Sequence, residues 1–468
     1  MERQSLYKQV YSRIVSLISQ EALTPGQRVP SIRSLASELR LSRNTVEIAY
    51  SMLISDGYLE ARGQAGTFVS RTHAIRRLMG KSITATQTPI KKSNHNSSRD
   101  ETAAGTSLGY QLGLPALDLF PHKLWSSLSS RQMKLQSKML SYPTPSGYPP
   151  LRESICAYLQ LSRGVDCSSE QVFITAGYQG ALNLLGRTLI KHSDEVWIED
   201  PCFPPSRHLL RQMGARLVPV SVDKEGIRVD DGKARAARAK FALVTPAHQS
   251  PLGVTLSLKR RLDLVAWAND NNAYIIEDDY DSEYCYEGRR VPALASLTSH
   301  GDFLYLGTFS KVLSPSLRLG YLVVPKNLIT VFDDACHQLN GGCPILSQGV
   351  IADFMQGGYF ARHLRKMRTA YAQRREMVIE SLTAEFGSRI NFNTPATGLH
   401  LLARLAPDEN DQLLAKRARD NGFGIAALSP RSIEHDCGKG LLLGFANVAT
   451  PQQAASMARR LHQSILPS

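Results

Sequence analysis

The first 70 residues contain three stretches whose apolar positions recur every three or four residues, followed by two short runs typical of strands. Such spacing predicts a helix, and the first stretch has its apolar residues at Leu6, Val10, Ile14, Leu17 and Ile18. Ser31 and Ser42 precede the second and third stretches, as N-caps that accept hydrogen bonds from free N–H groups. Runs 57–61 and 66–69 flank a turn at 62–65 and predict a β-hairpin. The pattern therefore predicts a winged helix-turn-helix, an α+β domain.

Beyond residue 108, apolar runs of strand length alternate with helical stretches of ten or more residues. The strand-type runs are residues 172–174, 195–198, 216–220, 241–244, 274–276, 303–306 and 321–324. Strands that alternate with helices pair mostly in parallel, and the helices cover the sheet. We therefore predict an α/β domain.

Residues 72–107, between these parts, are rich in Ser, Thr, Asn and charge and lack a sustained apolar period. A segment of this composition does not easily form a packed core. The predicted organisation is a DNA-binding candidate domain at 1–71, a flexible linker at 72–107 and an α/β domain at 108–468.

The composition favours a globular protein with a basic N-terminal part. Hydrophobic residues at 43% and charged residues at 21% are typical of a soluble globular chain. The formal charge is +14, and residues 1–80 hold eleven Lys or Arg against six Asp or Glu, which favours the N-terminal part as the nucleic-acid binder. The seven cysteines are scattered without a C-x-x-C pair, so neither a disulfide framework nor a metal site is expected. With no apolar signal or membrane-spanning run, we expect a reduced cytoplasmic protein.

The start of the third predicted helix is the candidate DNA-reading element. It begins Ser42, Arg43, Asn44, Thr45. Arginine pairs with guanine and asparagine with adenine in the major groove, and the hydroxyls suit phosphates or base edges. Further candidate contacts are Arg28, Arg33, Arg62 and Gln64, the last two at the wing tip. The alternative is a protein-docking module of three short helices.

This region resembles the GntR family of winged-helix repressors. The resemblance rests on 24–33 (TPGQRVPSIR), 41–46 (LSRNTV), 56–59 (DGYL) and 66–69 (GTFV), and it covers residues 5–70. It implies that the domain binds double-stranded DNA.

Segment 307–320 (GTFSKVLSPSLRLG) carries most of the candidate chemistry of the second domain. Lys311 follows a predicted strand and offers an amine that forms an imine with an aldehyde. Thr308 and Ser310 add hydroxyl donors, and Arg318 adds a planar charged fork that suits phosphate. The combination predicts a site for a phosphorylated aldehyde.

Three other segments supply candidate partners for that group. In 275–283 (IIEDDYDSE) a strand ends in carboxylates. There Asp278 could pair with a pyridine nitrogen and keep it protonated, and Tyr280 could donate to a phenolic oxygen; the alternative is an acidic surface loop. In 174–182 (ITAGYQGAL) a glycine turn opens a helix whose free N–H groups suit an anion. Phe203, after another strand, offers a stacking face or is a core aromatic.

Together these segments resemble type I fold pyridoxal-phosphate aminotransferases, and the whole chain resembles the MocR/GabR family of regulators. The resemblance implies that Lys311 holds pyridoxal 5'-phosphate as an internal aldimine, that Asp278 binds its ring nitrogen and that Tyr280 binds its phenolic oxygen. It places Phe203 at the stacking position. The implied phosphate site consists of Gly177, Tyr178, Gln179, Thr308, Ser310 and Arg318. Tyr142, in 142–147 (YPTPSG), matches the tyrosine that the partner subunit contributes.

Two positions depart from the aminotransferase pattern. The late R-[LI]-x-F motif, whose arginine holds the substrate carboxylate, reads LLGF at 442–445, which puts amino-acid transamination in doubt. Arg207 and Arg431 are substitute anchors for an effector carboxylate, or ordinary surface arginines. In 247–253 (AHQSPLG), position 250 holds serine where the aminotransferase pattern has asparagine. The hydrogen bond expected to the phenolic oxygen is therefore either missing or supplied by another residue, His248 or Gln249.

We therefore expect a pyridoxal-phosphate-dependent transcriptional regulator that binds promoter DNA and senses a small amine or amino acid through aldimine exchange at Lys311. The cofactor itself is an alternative signal. One rival is an aminotransferase enzyme with an appended DNA-binding domain, and another is a repressor whose second domain only dimerises. The resemblance also implies a homodimer, in which each winged helix lies over the other subunit, in the bacterial cytoplasm with no membrane partner.

Overall fold

The structure is a computed structural model that describes residues 6–20, 22–39, 41–70, 108–135, 142–286, 291–297, 303–393 and 397–466. The chain divides into two compact units, residues 1–100 and 101–468. The predicted linker, 72–107, lies outside the described residues.

The first unit consists of three helices and a hairpin. The helices are α1 (Leu6–Ser19), α2 (Ile32–Leu39) and α3 (Arg43–Ser55), and the strands are β1 (Leu59–Ala61) and β2 (Thr67–Val69). The two strands pair antiparallel, with Leu59 opposite Val69. One small core joins all five elements and contains Val10, Ile14, Ala36, Val46, Ala49, Leu53, Leu59 and Val69. The predicted winged helix-turn-helix is confirmed.

The second unit is built on an eight-stranded sheet. Its strands are β3 (Val172–Thr175), β4 (Glu195–Asp200), β5 (Arg216–Asp223), β6 (Gly226–Ile227), β7 (Phe241–Val244), β8 (Tyr274–Asp279), β9 (Phe303–Thr308) and β10 (Gly320–Val323). They lie in the order β3-β10-β9-β8-β7-β4-β5-β6. The five strands from β9 to β5 run parallel, whereas β10 is antiparallel to both of its neighbours. All seven predicted strand runs lie in this sheet.

The helices of the second unit are α4 (His122–Met133), α5 (Pro149–Arg163), α6 (Gly177–Leu189), α7 (Pro204–Gln212), α8 (Val229–Ala236), α9 (Leu258–Asn271), α10 (Ile329–Ala335), α11 (Ile345–Gln356), α12 (Tyr359–Phe386), α13 (Asp411–Asp420) and α14 (Pro451–Ile465). Helices α5 to α9 contact the eight-stranded sheet. Strands β7 and β8, inside the sheet, are buried, as a sheet with two covered faces requires. A stack of Trp197 on Trp267, with ring centroids 3.7 Å apart, joins β4 to α9.

A second, four-stranded sheet follows α12. It contains β11 (Asn391–Asn393), β12 (His400–Arg404), β13 (Ala426–Ala427) and β14 (Gly440–Gly444), in the order β11-β12-β14-β13. Residues 108–115, which we call the strap, hydrogen-bond to this region: Gly109 N–H donates to the carbonyl of Gly422, Gly424 N–H to that of Gly109, and Gly444 N–H to that of Tyr110. Among the described residues, the helices are too short or too polar to span a bilayer.

Candidate functional site

The site lies where the parallel strands end. Strands β4, β7 and β8 are neighbours, and the carboxyl end of β8 carries Asp278 and Asp279. Asp278 is 7% exposed, and burial raises the pKa of its carboxyl well above the usual range, although a hydrogen bond from Tyr178 opposes the shift. Asp279 has a different role, since it forms a buried ion pair with Arg163 at 2.7 Å. The acidic run is therefore part of the interior and not the surface loop considered as an alternative.

Lys311 follows the next strand, β9, and its amine is buried in the same region. Nζ donates a hydrogen bond of 2.9 Å to the carbonyl of Gly113 in the strap. Burial lowers the pKa of this amine, and the charges of Asp281 and Asp278 oppose the shift. A larger fraction of neutral amine, the nucleophilic form, is thus present at neutral pH than for an exposed lysine.

Tyr280 lies against His248. Its hydroxyl donates to the His248 carbonyl at 2.9 Å and lies 3.0 Å from Nδ1 of the same residue. Asp281 meets the same ring nitrogen, with a carboxylate oxygen 3.0 Å from Nδ1, and also accepts from the N–H of Leu399. His248 Nε2 is buried without a hydrogen-bond partner among the described residues. Nδ1 of His248 is therefore engaged by Tyr280 and Asp281, whereas Nε2 faces Gly398.

His400 completes this cluster. Its ring centroid lies 4.7 Å from that of His248, and its Nε2 lies 3.0 Å from the carbonyl of Pro251. Burial lowers the pKa of His400 to about 3, with a further contribution from His248. His400, Asp281 and Gly113 were not among the residues selected from the sequence. Asp281 could have been predicted from the sequence, because it lies in the same acidic run as Asp278 and Tyr280.

Gln249 is fully engaged elsewhere. Its side-chain amide donates to Glu199, to the carbonyl of Pro201 and to that of Ser250, and its oxygen accepts from the N–H of Leu252. Position 250 holds serine where the aminotransferase pattern has asparagine, and His248 and Gln249 were the two candidates to replace it. Of these two, His248 has a side-chain nitrogen without a partner among the described residues, and Gln249 does not.

The predicted phosphate-binding residues surround the start of α6. Gly177 opens this helix with φ +71°, and a Cβ placed there would have nothing within 4 Å. Thr308 Oγ1 accepts from the N–H of Ser310, at the end of the neighbouring β9. Gln179 and Arg318 are exposed, and neither side chain has a hydrogen-bond or ion-pair partner in the described part of the chain.

The aromatic candidates occupy different environments. Phe203 caps α7 and is 37% exposed, with its ring edge-on to Tyr178 at a centroid distance of 6.3 Å. The Tyr178 hydroxyl is 2.8 Å from Ser206 Oγ. Tyr142 is 98% exposed.

The position of the missing carboxylate-binding arginine is apolar. Leu442 lies in β14, is 1% exposed and packs with Leu402 and Leu428. The two substitute anchors, Arg207 and Arg431, both lie near Cys202; Arg207 donates to the carbonyl of Ser432 at 3.2 Å. Both candidate cations therefore lie beside the segment that carries Phe203.

The predicted DNA-reading residues lie on the first unit. Ser42 caps α3 and accepts from the N–H of Thr45 at 3.1 Å, and Arg43 and Asn44 at the start of the same helix are exposed. Arg28 and Arg33 are also exposed. Arg62 lies over the Phe68 ring at 4.7 Å and pairs with Glu60. The side chain of Gln64 lies outside the described residues.

Comparisons with known proteins match both units. Residues 6–69 match the family of bacterial regulatory proteins, gntR family, and residues 121–439 match the family aminotransferase class I and II. The chain is 33% identical over 448 residues to the probable rhizopine catabolism regulatory protein MocR of Rhizobium meliloti, covering 95% of this chain and 90% of that protein. It is 29% identical to the pyridoxine biosynthesis transcriptional regulator PdxR of Corynebacterium glutamicum, with 95% and 93% covered. An archaeal alanine:glyoxylate aminotransferase structure matches 77% of this chain and 91% of its own, with a TM-score of 0.71 and 25% identity.

Proposed function

Since this chain belongs to the MocR-type transcriptional regulators, with a gntR-family domain joined to an aminotransferase class I and II domain, we propose that it controls transcription by sensing an amine or amino acid through pyridoxal phosphate held at Lys311. The observation that carries the proposal is the burial of Lys311 in one region with Asp278, at the ends of neighbouring strands.

The residues fit the cofactor. A buried carboxyl such as Asp278 suits a protonated ring nitrogen, because the two share one charge-assisted hydrogen bond. The open space at Gly177 and the free N–H groups at the start of α6 suit a phosphate, and the guanidinium of Arg318 has no partner among the residues that the structure describes. Phe203 keeps an exposed ring face for stacking. When bound, pyridoxal phosphate supplies an aldehyde that reacts with amines.

The protein's own residues then orient the reacting groups. Burial of Lys311 favours the neutral amine, and Tyr280, whose hydroxyl lies 3.0 Å from His248 Nδ1, would bind the phenolic oxygen, as the resemblance implies. We assign the remaining predicted contacts, Tyr178, Gln179, Thr308 and Ser310, to the phosphate, as the resemblance implies.

A sensor is favoured over an enzyme because of Leu442. An apolar side chain buried among leucines cannot hold an α-carboxylate, and this anchor is a requirement of efficient amino-acid transamination. Arg207 and Arg431 are the proposed anchors for an acidic effector. The alternative, an aminotransferase with an appended DNA-binding domain, predicts steady turnover.

The proposed assembly is a homodimer on double-stranded promoter DNA in the bacterial cytoplasm. Tyr142 supports it, since a tyrosine exposed to 98% in a single chain is available to a partner subunit. We propose Arg28, Arg33, Ser42, Arg43, Asn44, Thr45, Arg62 and Gln64 as DNA contacts, and residues 72–107 as the linker.

One experiment tests the sensor. A duplex that the protein selects from random DNA is used as the probe, and a panel of amines and amino acids is titrated into cofactor-loaded protein while visible absorbance and DNA binding are followed together. We expect both signals to change at the same concentration, and expect Lys311→Ala and the charge-retaining Lys311→Arg to lose both. Absorbance change with turnover and unaltered DNA binding would support the enzyme. Absence of a borohydride-fixed adduct at Lys311 would refute the cofactor assignment.

A further inference from the structure

Two thiols of the second unit are in contact. The sulfur atoms of Cys156 and Cys167 lie 3.5 Å apart, and both side chains are half-buried. Cys156 lies in α5, which ends at Gly164 with φ +69°. The chain then turns back, with the N–H of Val165 donating to the carbonyl of Leu159, and brings Cys167 beside the helix. The contact is thus produced by the regular end of a helix.

The surroundings shift the pKa values of the two thiols in opposite directions. A hydrogen bond from Cys167 lowers the pKa of the Cys156 thiol; burial opposes the shift, and the guanidinium of Arg152, one turn earlier, assists it. Arg152 is fixed there by hydrogen bonds of 2.9 Å to the carbonyl of Ser169 and 3.2 Å to Ser146 Oγ. The same contact raises the pKa of Cys167 far above its usual range. Cys156 is therefore the sulfur that ionises, while Cys167 keeps its proton.

Other cysteines provide a contrast. Burial raises the pKa of Cys202 to about 12 and that of Cys343 to about 11, and both thiols are buried. Since the thiolate is the nucleophile, these two cysteines are expected to react slowly with oxidants.

We propose that Cys156 and Cys167 form a peroxide-reactive pair that closes to an intramolecular disulfide. The Cys156 thiolate attacks one peroxide oxygen, which breaks the O–O bond, gives a sulfenic acid and releases hydroxide that takes up a proton as water. Because the sulfenic acid carries no charge, the interaction with the Cys156 thiolate that held the proton on Cys167 is lost. The Cys167 sulfur then attacks the sulfenic sulfur and displaces its oxygen, which leaves with the Cys167 proton as a second water. Two thiols are oxidised to one disulfide, and one hydrogen peroxide is reduced to two waters.

The tryptic map of the chain allows a direct test. Cleavage at Arg152, Arg163 and Arg187 places Cys156 in peptide 153–163 and Cys167 in peptide 164–187. Full-length protein is treated with a small excess of hydrogen peroxide, blocked with iodoacetamide and digested without reductant. We expect a cross-linked pair of these peptides and a fall in thiols, titrated after denaturation, from seven to five.

Single-residue variants distinguish oxidation of the Cys156–Cys167 pair from oxidation of cysteines elsewhere in the protein. Cys156→Ser and Cys167→Ser should each abolish the cross-link, and Cys285→Ser, which removes another half-buried cysteine, should leave it unchanged. We expect Arg152→Gln to slow its formation without preventing it. The proposal is overturned if both peptides remain carbamidomethylated while other cysteines oxidise, if Cys156 stops at sulfenic or sulfinic acid, or if only disulfides between chains form.

Discussion

The amine of Lys311 and the carbonyl of Gly113 are joined by a hydrogen bond of 2.9 Å, across 198 residues of sequence. Gly113 belongs to the strap, which pairs with residues 422–424 and 444 and begins directly after residue 107. Under the proposed function, Lys311 would react while it is in contact with the strap. An amine that loses protons in such a reaction would give up donors to Gly113, so the proposal predicts that the strap contact differs between the two states of Lys311.

Gly113→Ala tests this contact. Gly113 has φ +68°, and an added Cβ would lie 2.2 Å from Lys311 Nζ, so alanine must displace the lysine. We expect the dissociation constant for pyridoxal phosphate to rise at least about tenfold, measured by visible absorbance, with an unchanged circular dichroism spectrum. Gly387→Ala is the matched control, because it has φ +55° and nothing within 4 Å. Equal affinities of the two variants would show that the contact does not matter.

Leu442→Arg tests whether position 442 serves to pack the core. The charge would enter a cluster with Leu402 and Leu428, and we expect the free energy of unfolding of the second unit to fall by about 3 kcal/mol or more. Denaturant melts measure this, and Leu442→Met, which keeps the volume and the apolar character, should cost less than about 1.5 kcal/mol. A stable Leu442→Arg protein that gains amino-acid turnover would contradict the prediction.

Three glutamate carboxyls in the interior predict how the stability of the second unit depends on pH. Burial raises the pKa values of Glu199, Glu277 and Glu283 to about 7. These groups keep a proton in the folded state, between about pH 4.5 and 7, that the unfolded chain has lost. Their contribution to stability therefore declines as pH rises through this window and levels off above it.

Glu277→Gln isolates one of these groups. Because glutamine does not ionise, the variant should show a smaller loss of stability between pH 5 and 8 than the wild type, as measured by denaturant melts at matched ionic strength. Exposed Glu376→Gln should keep the wild-type slope. An identical slope in the Glu277 variant would mean that this carboxyl is charged throughout.

The reading helix gives the fourth prediction. Arg43 is exposed at the start of α3, and Arg43→Ala should weaken binding to the selected duplex by about 1–3 kcal/mol, roughly five- to 150-fold. Arg13→Ala removes the same charge from an exposed position of α1 and should have a much smaller effect. Fluorescence anisotropy at one salt concentration measures both, and equal losses would indicate general charge attraction.

Part of the site was predictable because it is local. The segment 307–320 places Thr308 at the end of β9 and Ser310, Lys311 and Arg318 in the connection that follows it, so their separation along the chain is short in any fold that retains that strand. The contact of Tyr280 with His248 was not predictable, because it joins residues 32 positions apart through the packing of two strand ends.

The sequence by itself determined the two domain types, the strand runs and the acid and amine candidates, because periodicity and capping are properties of neighbouring residues. Only the tertiary structure decided that β10 runs antiparallel, that Gly113 meets Lys311, that Leu442 is enclosed by leucines and that Cys156 touches Cys167. Strand direction and side-chain contacts between distant segments depend on how whole layers pack, and that packing has no local signature in the chain.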